Sequence, residues 1–206
     1  MGDDPGIGVQ DNGRRTERHG PAHGGSGTRG GGGDRDRRHG RRALRVTAVS
    51  APDDWLRQAV ALAERNVADG GGPFGALVVR PGEGEVIASG VNRVTTDLDP
   101  TAHAEVVAIR AACRTVGDFK LTGCVLVSSC EPCPLCLSAA LWARVDAVLY
   151  AADRHDAERA GFDDRVFYDV FALPRSEWPL RVTHRRTGTE RSPFTAWDTK
   201  ADRTDY

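Results

Sequence analysis

The sequence predicts a layered α/β domain. Apolar stretches of strand length alternate with segments whose apolar residues recur at helical spacing, and Gly- or Pro-rich turns separate them. Apolar residues thin out only toward the N-terminus, so one domain plus an extension accounts for the 206 residues.

The extension comes first. Residues 1–45 are dominated by Gly, Arg, Asp and His, with four consecutive glycines at 30–33. They offer almost nothing to bury and are expected to be disordered. His19, His23 and His39 sit there at irregular spacing, as residues of a solvated tail do. The folded domain is expected over 51–206. Pro52, with Asp53 and Asp54 behind it, marks a helix start. Trp55, Leu56, Ala59, Val60, Ala63 and Val67 then recur at helical spacing, and Gly70 stops the helix. The turn 71–75 leads into the strand 76–79. Pro81-Gly82-Glu83-Gly84 turns the chain back into a second strand at 86–88. A polar loop, 92–99, precedes Pro100 and a helix carrying His103, Glu105, Val106, Val107, Ile109 and Ala112. A buried strand at 124–127, a helix at 134–143 and a strand at 147–150 follow. Beyond 163 the pattern becomes irregular, with one short helix expected at about 165–171.

Charge and cysteine content narrow the function. Residues 1–42 carry nine Arg against six acids, whereas the remainder has 19 basic and 23 acidic side chains. A mildly acidic domain is poor material for gripping phosphates, because non-specific nucleic-acid affinity comes from Lys and Arg. No nucleic-acid partner is expected. No apolar run approaches the ~20 residues of a membrane span, so no membrane partner is expected either. Five cysteines, an odd number without an export segment, point to reduced thiols and a cytoplasmic protein.

The chemistry concentrates in two stretches, Pro100-Thr101-Ala102-His103-Ala104-Glu105 and Ser129-Cys130-Glu131-Pro132-Cys133-Pro134-Leu135-Cys136. Alone, His103 reads as an ordinary histidine and the cysteines as inert or redox-active thiols. Together they supply a Cys₂His zinc set, which leaves a fourth position for water. Both groups stand at helix starts, where free N–H groups and partial positive charge favour thiolates and an ionised Glu105. Cys130 and Cys133 form a competing C-x-x-C. Cys133 and Cys136 are preferred because Pro132 directly precedes that pair and Cys130 closes a strand. Cys113 and Cys124 read as core residues. Glu105, otherwise a partner of the helix dipole, becomes a proton shuttle for a water whose pKa zinc lowers toward ~7. Phe74 is either a core aromatic or a wall on which a flat base stacks. Asn92 is either a turn residue or a substrate contact. By pattern alone, Gly161-Phe162-Asp163-Asp164 caps the next helix.

H-x-E followed by P-C-x-x-C is the signature of zinc deaminases of bases. Gly71 to Ala76, Asn92 to Arg110, Ser129 to Cys136, Trp142-Ala143, Ala160 to Asp164, Ser192 to Trp197 and Tyr206 together resemble bacterial guanine deaminases of the cytidine-deaminase-like fold. The resemblance spans roughly 53–206. It implies a three-layer α/β/α fold with a five-stranded mixed sheet, and a homodimer in which the domain-swapped segment 160–206 completes the partner's active site. It implies one Zn²⁺ per subunit on His103, Cys133 and Cys136, with Glu105 as shuttle. Phe74, Asn92, Ala104, Trp142, Phe162, Asp164 and Tyr206 are implied to line the pocket of a small purine base, some of the last three from the partner chain. Asp164 is implied to act catalytically, facing the exocyclic amine or a ring N–H. Arg93 stands where the family pattern leads one to expect Asn. The implied reaction is deamination of guanine to xanthine. A nucleoside or tRNA adenosine deaminase is the alternative within the enzymes, and a structural zinc protein is the alternative outside them.

Overall fold

The computed structural model describes residues 52–205; the predictions for residues 1–45 and for Tyr206 lie outside them. Helix α1 (Pro52–Ala68) leads to the hairpin β1 (Gly75–Arg80) and β2 (Glu85–Val91). One turn of helix, α2 (Val94–Asp97), interrupts the predicted polar loop. Then follow α3 (Ala104–Val116), β3 (Val125–Cys130), α4 (Pro134–Trp142) and β4 (Ala147–Ala152). Three further helices, α5 (Arg154–Arg159), α6 (Arg165–Ala172) and α7 (Ser192–Asp198), carry the C-terminal part. Among the described residues no helix is long and apolar enough to cross a membrane.

The sheet order is β2-β1-β3-β4. Strand β1 runs antiparallel to both neighbours, while β3 and β4 pair in parallel through the α4 crossover. The sheet is therefore mixed, as expected, but it has four strands among the described residues, not five. The fifth strand that the resemblance implied is not formed among them: beyond β4 the described chain continues as short helices and irregular segments that do not pair with the sheet.

Period-two alternation gives each face of the sheet its own core. Ala76, Val78 and Leu126 point to one side and pack on Ala104, Ala108, Ala112 and Ala140 of α3 and α4. Leu77, Val79 and Val127 point to the other and pack on Trp55 and Ala59 of α1. The result is three layers. Alanine dominates the α3 face, so this helix lies close to the sheet. Gly90 in β2 permits that approach: a Cβ there would stand 2.3 Å from the Ala104 carbonyl oxygen.

The C-terminal part differs in character. Large apolar residues remain exposed along it, including Phe167, Phe171, Leu180 and Phe194.

Candidate active site

The strand ends assemble the site. Strands β2, β3 and β4 finish, and β1 begins, at one edge of the sheet. There the Ser129 hydroxyl accepts a hydrogen bond from the Gly75 N–H at 3.0 Å. His103 is the N-cap of α3 and Cys133 the N-cap of α4. Both ligand groups thus sit at helix N-termini beside the carboxyl ends of strands, the usual place for a ligand in an open α/β sheet. His103 precedes the helix, instead of lying inside it as the spacing suggested. Its extended backbone turns the imidazole across to α4.

The ligand atoms of His103, Cys133 and Cys136 all lie within 4.8 Å of one another. The two sulfurs are 3.6 Å apart, and His103 Nδ1 lies 3.5 Å from Cys133 Sγ and 3.4 Å from Cys136 Sγ. A tetrahedral ion with Zn–S bonds of ~2.3 Å and a Zn–N bond of ~2.0 Å needs edges of about 3.5–3.8 Å. The donor set fits zinc in both chemistry and spacing. Cys130, the competing cysteine, turns away, and its Sγ lies 3.5 Å from the Asp153 carbonyl oxygen. Burial pushes its thiol up to about 11. Cys133 is held well below the ordinary thiol range, first by its hydrogen bond with Cys136 and also by His103. Cys136 is pushed up by the same Cys133 contact. The hydrogen bond with Cys133 in turn raises His103.

Glu105, in the first turn of α3, is 6% exposed. Its Oε1 accepts from the Ser128 hydroxyl at 3.1 Å, and its Oε2 lies 3.3 Å from Cys136 Sγ. Burial raises its pKa above the ordinary carboxylate range. A buried carboxylate beside the metal ligands is suited to taking and returning a proton.

A cavity of about 390 Å³ opens over these groups, within the size range of small-molecule sites. Phe74, Asn92, His103, Glu105, Cys133, Phe162 and Asp164 all line it. Phe74, open between core and pocket in the sequence, meets Phe162 edge to face at 5.0 Å. Asp164, read from pattern as a helix cap, makes no capping bond from its side chain. Its Oδ1 is buried without a hydrogen-bond partner, and desolvation raises its pKa. An unsatisfied acceptor at a pocket wall is costly unless a ligand donates to it.

Two implied residues are not among those lining this cavity. Ala104 is fully buried in the α3 core, and Trp142, 60% exposed, ends α4 outside the cavity lining. The cavity also uses residues that lay within the matched stretches but were given no role there. Val94 and Thr95 belong to the α2 turn. Glu131 forms an ion pair with Arg154, whose guanidinium stacks 4.1 Å from the Tyr168 ring centre. The Tyr168 hydroxyl donates to the Pro132 carbonyl at 2.6 Å. This chain of contacts ties α6, next to Asp164, to the loop that carries Cys133.

Residues 50–152 match the family model described as the cytidine and deoxycytidylate deaminase zinc-binding region. The chain belongs to this deaminase family. It is 47% identical over 155 residues to the guanine deaminase of Bacillus subtilis (strain 168), spanning 75% of this chain and 98% of that relative. The X-ray structure of guanine deaminase from Bacillus subtilis superposes with a TM-score of 0.73 at 46% identity, covering 76% of this chain and 99% of that one. A protein solved in complex with 2,6-diaminopurine matches at a TM-score of 0.54 and 36% identity, over 55% of this chain and 63% of its own. Zinc is the cofactor of the family's zinc-binding region, and in this deaminase the His103, Cys133 and Cys136 group can hold it.

Proposed function

We propose that the protein hydrolyses guanine to xanthine and ammonia, using the site just described. The observation that carries the reading is the juxtaposition of a zinc-type donor set, a buried Glu105 and a purine-sized cavity walled by Phe74, Asn92, Phe162 and Asp164. The similarity to Bacillus subtilis guanine deaminase over nearly that protein's whole length selects guanine among the bases.

His103, Cys133 and Cys136 would hold the ion. Zinc, when bound there, supplies a Lewis acid that makes water nucleophilic near neutral pH. Glu105 takes the proton that the water releases as its oxygen bonds to C2, the carbon bearing the amine. It delivers that proton to the adjacent ring nitrogen, and a second proton from the same oxygen leaves with the amine as ammonia. Ser128 holds Glu105 Oε1, so Oε2 makes the transfers. Asp164 accepts from the exocyclic amine or a ring N–H, giving its bare oxygen a partner. Asn92 Oδ1 already accepts from the Val94 N–H at 3.3 Å, which leaves Nδ2 to donate to an acceptor on the base. Phe74 and Phe162 stack on or edge the ring.

The catalytic domain in this reading is 51–206, residues 1–45 contribute no group, and the reduced thiols suit the cytoplasm. The working form is a homodimer that exchanges the part of the C-terminal segment beyond Asp164, since Phe162 and Asp164 line the cavity of their own chain. Support comes from the exposed apolar residues of that segment and from the course of its end. Lys200, Asp202 and Thr204 share a cavity with Gly117 to Phe119, at the far end of α3 from His103. A helix of 13 residues is about 20 Å long. The described end of the segment therefore lies away from its own chain's metal ligands, as an exchanged segment requires.

The test is a substrate screen on zinc-replete protein, measuring ammonia release from guanine, cytosine, adenine and guanosine. Guanine is expected to be turned over fastest; faster turnover of any of the others refutes the assignment.

A further inference from the structure

Asn66 lies in the last turn of α1, outside the pocket lining, yet its side chain joins two segments that form the pocket. Its Nδ2 donates to the Gly72 carbonyl at 2.7 Å and to the Asn92 carbonyl at 2.9 Å. Gly72 belongs to the turn before β1, whereas Asn92 follows β2. Both amide hydrogens are used, and two main-chain acceptors fix which end of the amide is nitrogen.

Main-chain bonds close the same unit. The Gly71 N–H donates to the Asn66 carbonyl at 2.7 Å, and the Asn92 N–H donates to the Phe74 carbonyl at 3.1 Å. The fit is tight, since a Cβ on Gly71 would stand 2.4 Å from Asn66 Nδ2. Phe74 and Asn92, two walls of the cavity, are thus spaced by one asparagine that does not itself reach the base. Glu105 and the metal ligands are held separately, by α3, α4 and β3.

We propose that Asn66 is a positioning residue for substrate binding, setting Asn92 and the Phe74 turn at the spacing a purine needs. The inference rests on the reading of Asn92 and Phe74 as substrate contacts. Because Asn66 holds the binding edge and not the proton-transfer groups, its loss falls on KM more than on kcat.

The decisive variant is Asn66→Asp, nearly the same shape but with an acceptor-only group facing two carbonyl oxygens. KM for guanine is expected to rise at least about tenfold, with kcat within about threefold of the parent and one zinc per chain retained. Asn66→Ala, which removes the donors without adding repulsion, is expected to give a smaller rise in KM, and it decides by the same split if Asn66→Asp does not fold. An unchanged KM in both variants overturns the proposal. So does a parallel loss of zinc, kcat and thermal stability in both, which describes a purely structural residue. Asn92→Ala separates this inference from the reading beneath it. A raised KM there with an unchanged KM in the Asn66 variants sinks the positioning role alone; an unchanged KM in Asn92→Ala removes Asn92 as a substrate contact, and the positioning role with it.

Discussion

Gly90→Ala places a single methyl group between the sheet and the catalytic helix. The added Cβ would stand 2.3 Å from the Ala104 carbonyl oxygen, 2.5 Å from the Ala108 nitrogen and 3.1 Å from the Ala108 Cα. All three are main-chain atoms, so no side chain can swing aside. Real Cβ contacts essentially never fall below 3.0 Å, so the first turn of α3 must retreat by at least about 0.7 Å. Overpacking of this kind costs about 1–3 kcal/mol, which lowers Tm by about 3–10 °C in a domain of this size. The functional loss is larger in proportion. His103 immediately precedes Ala104 and Glu105 immediately follows it, and a displacement near 1 Å in a catalytic group costs about 10²-fold in rate. The assay pairs thermal melts with kcat/KM on guanine and zinc content per chain. Gly82→Ala is the control, since a Cβ there meets nothing within 4 Å. A Gly90→Ala protein with the parent's Tm and kcat/KM would refute the claim that this close approach sets the geometry of the site.

Three other perturbations probe separate links. Tyr168→Phe removes the 2.6 Å hydrogen bond to Pro132 that ties α6 to the Cys133 loop; kcat/KM should fall by about three- to tenfold, the equivalent of roughly one net hydrogen bond, with zinc content unchanged. Asp153 caps α5, and hydrogen bonds from the Asp156 and His155 N–H groups hold its carboxyl below the ordinary range. A depressed carboxylate stabilises the fold above its unfolded pKa of ~3.9, and that contribution is lost as pH falls through the lower folded value. Asp153→Asn should therefore flatten the acid limb of melting curves collected from about pH 6 to pH 3; an unchanged limb argues that the cap does not titrate with folding. Removing the last four residues should lower guanine turnover by at least about tenfold, or ~1.4 kcal/mol, while zinc stays bound; an unaltered rate excludes a pocket role for Tyr206.

The metal set was legible because its spacing is chemical: His103, Glu105, Cys133 and Cys136 form a pattern that few other purposes require. The layers were legible because Ala76 to Val79 alternate between two faces and Trp55, Ala59 and Ala63 recur at helical spacing. The pocket was less so. Phe74 stayed ambiguous because a core aromatic and a pocket wall need the same residue. Asp164 looked like a cap because an acid before an apolar helix usually is one, and only its bare oxygen in the folded chain shows otherwise. Asn66 and Arg154 were invisible, since each acts across a gap that only folding closes. The fifth strand was carried over from resemblance, and only four runs of strand character had been found along the chain. Helices α5 and α7 were missed because they are only 6 and 7 residues long, too short for periodicity to register.

The most direct test of the account is Glu105→Gln, assayed for ammonia release from guanine alongside zinc content. The amide keeps the shape and the bond to Ser128 but cannot carry a proton between water and base. The account predicts one zinc per chain and a loss of turnover of at least about 10²-fold, the usual contribution of a positioned proton-transfer group. Turnover within about twofold of the parent would remove Glu105 from the proton path, and loss of the zinc would make it a ligand instead of a shuttle.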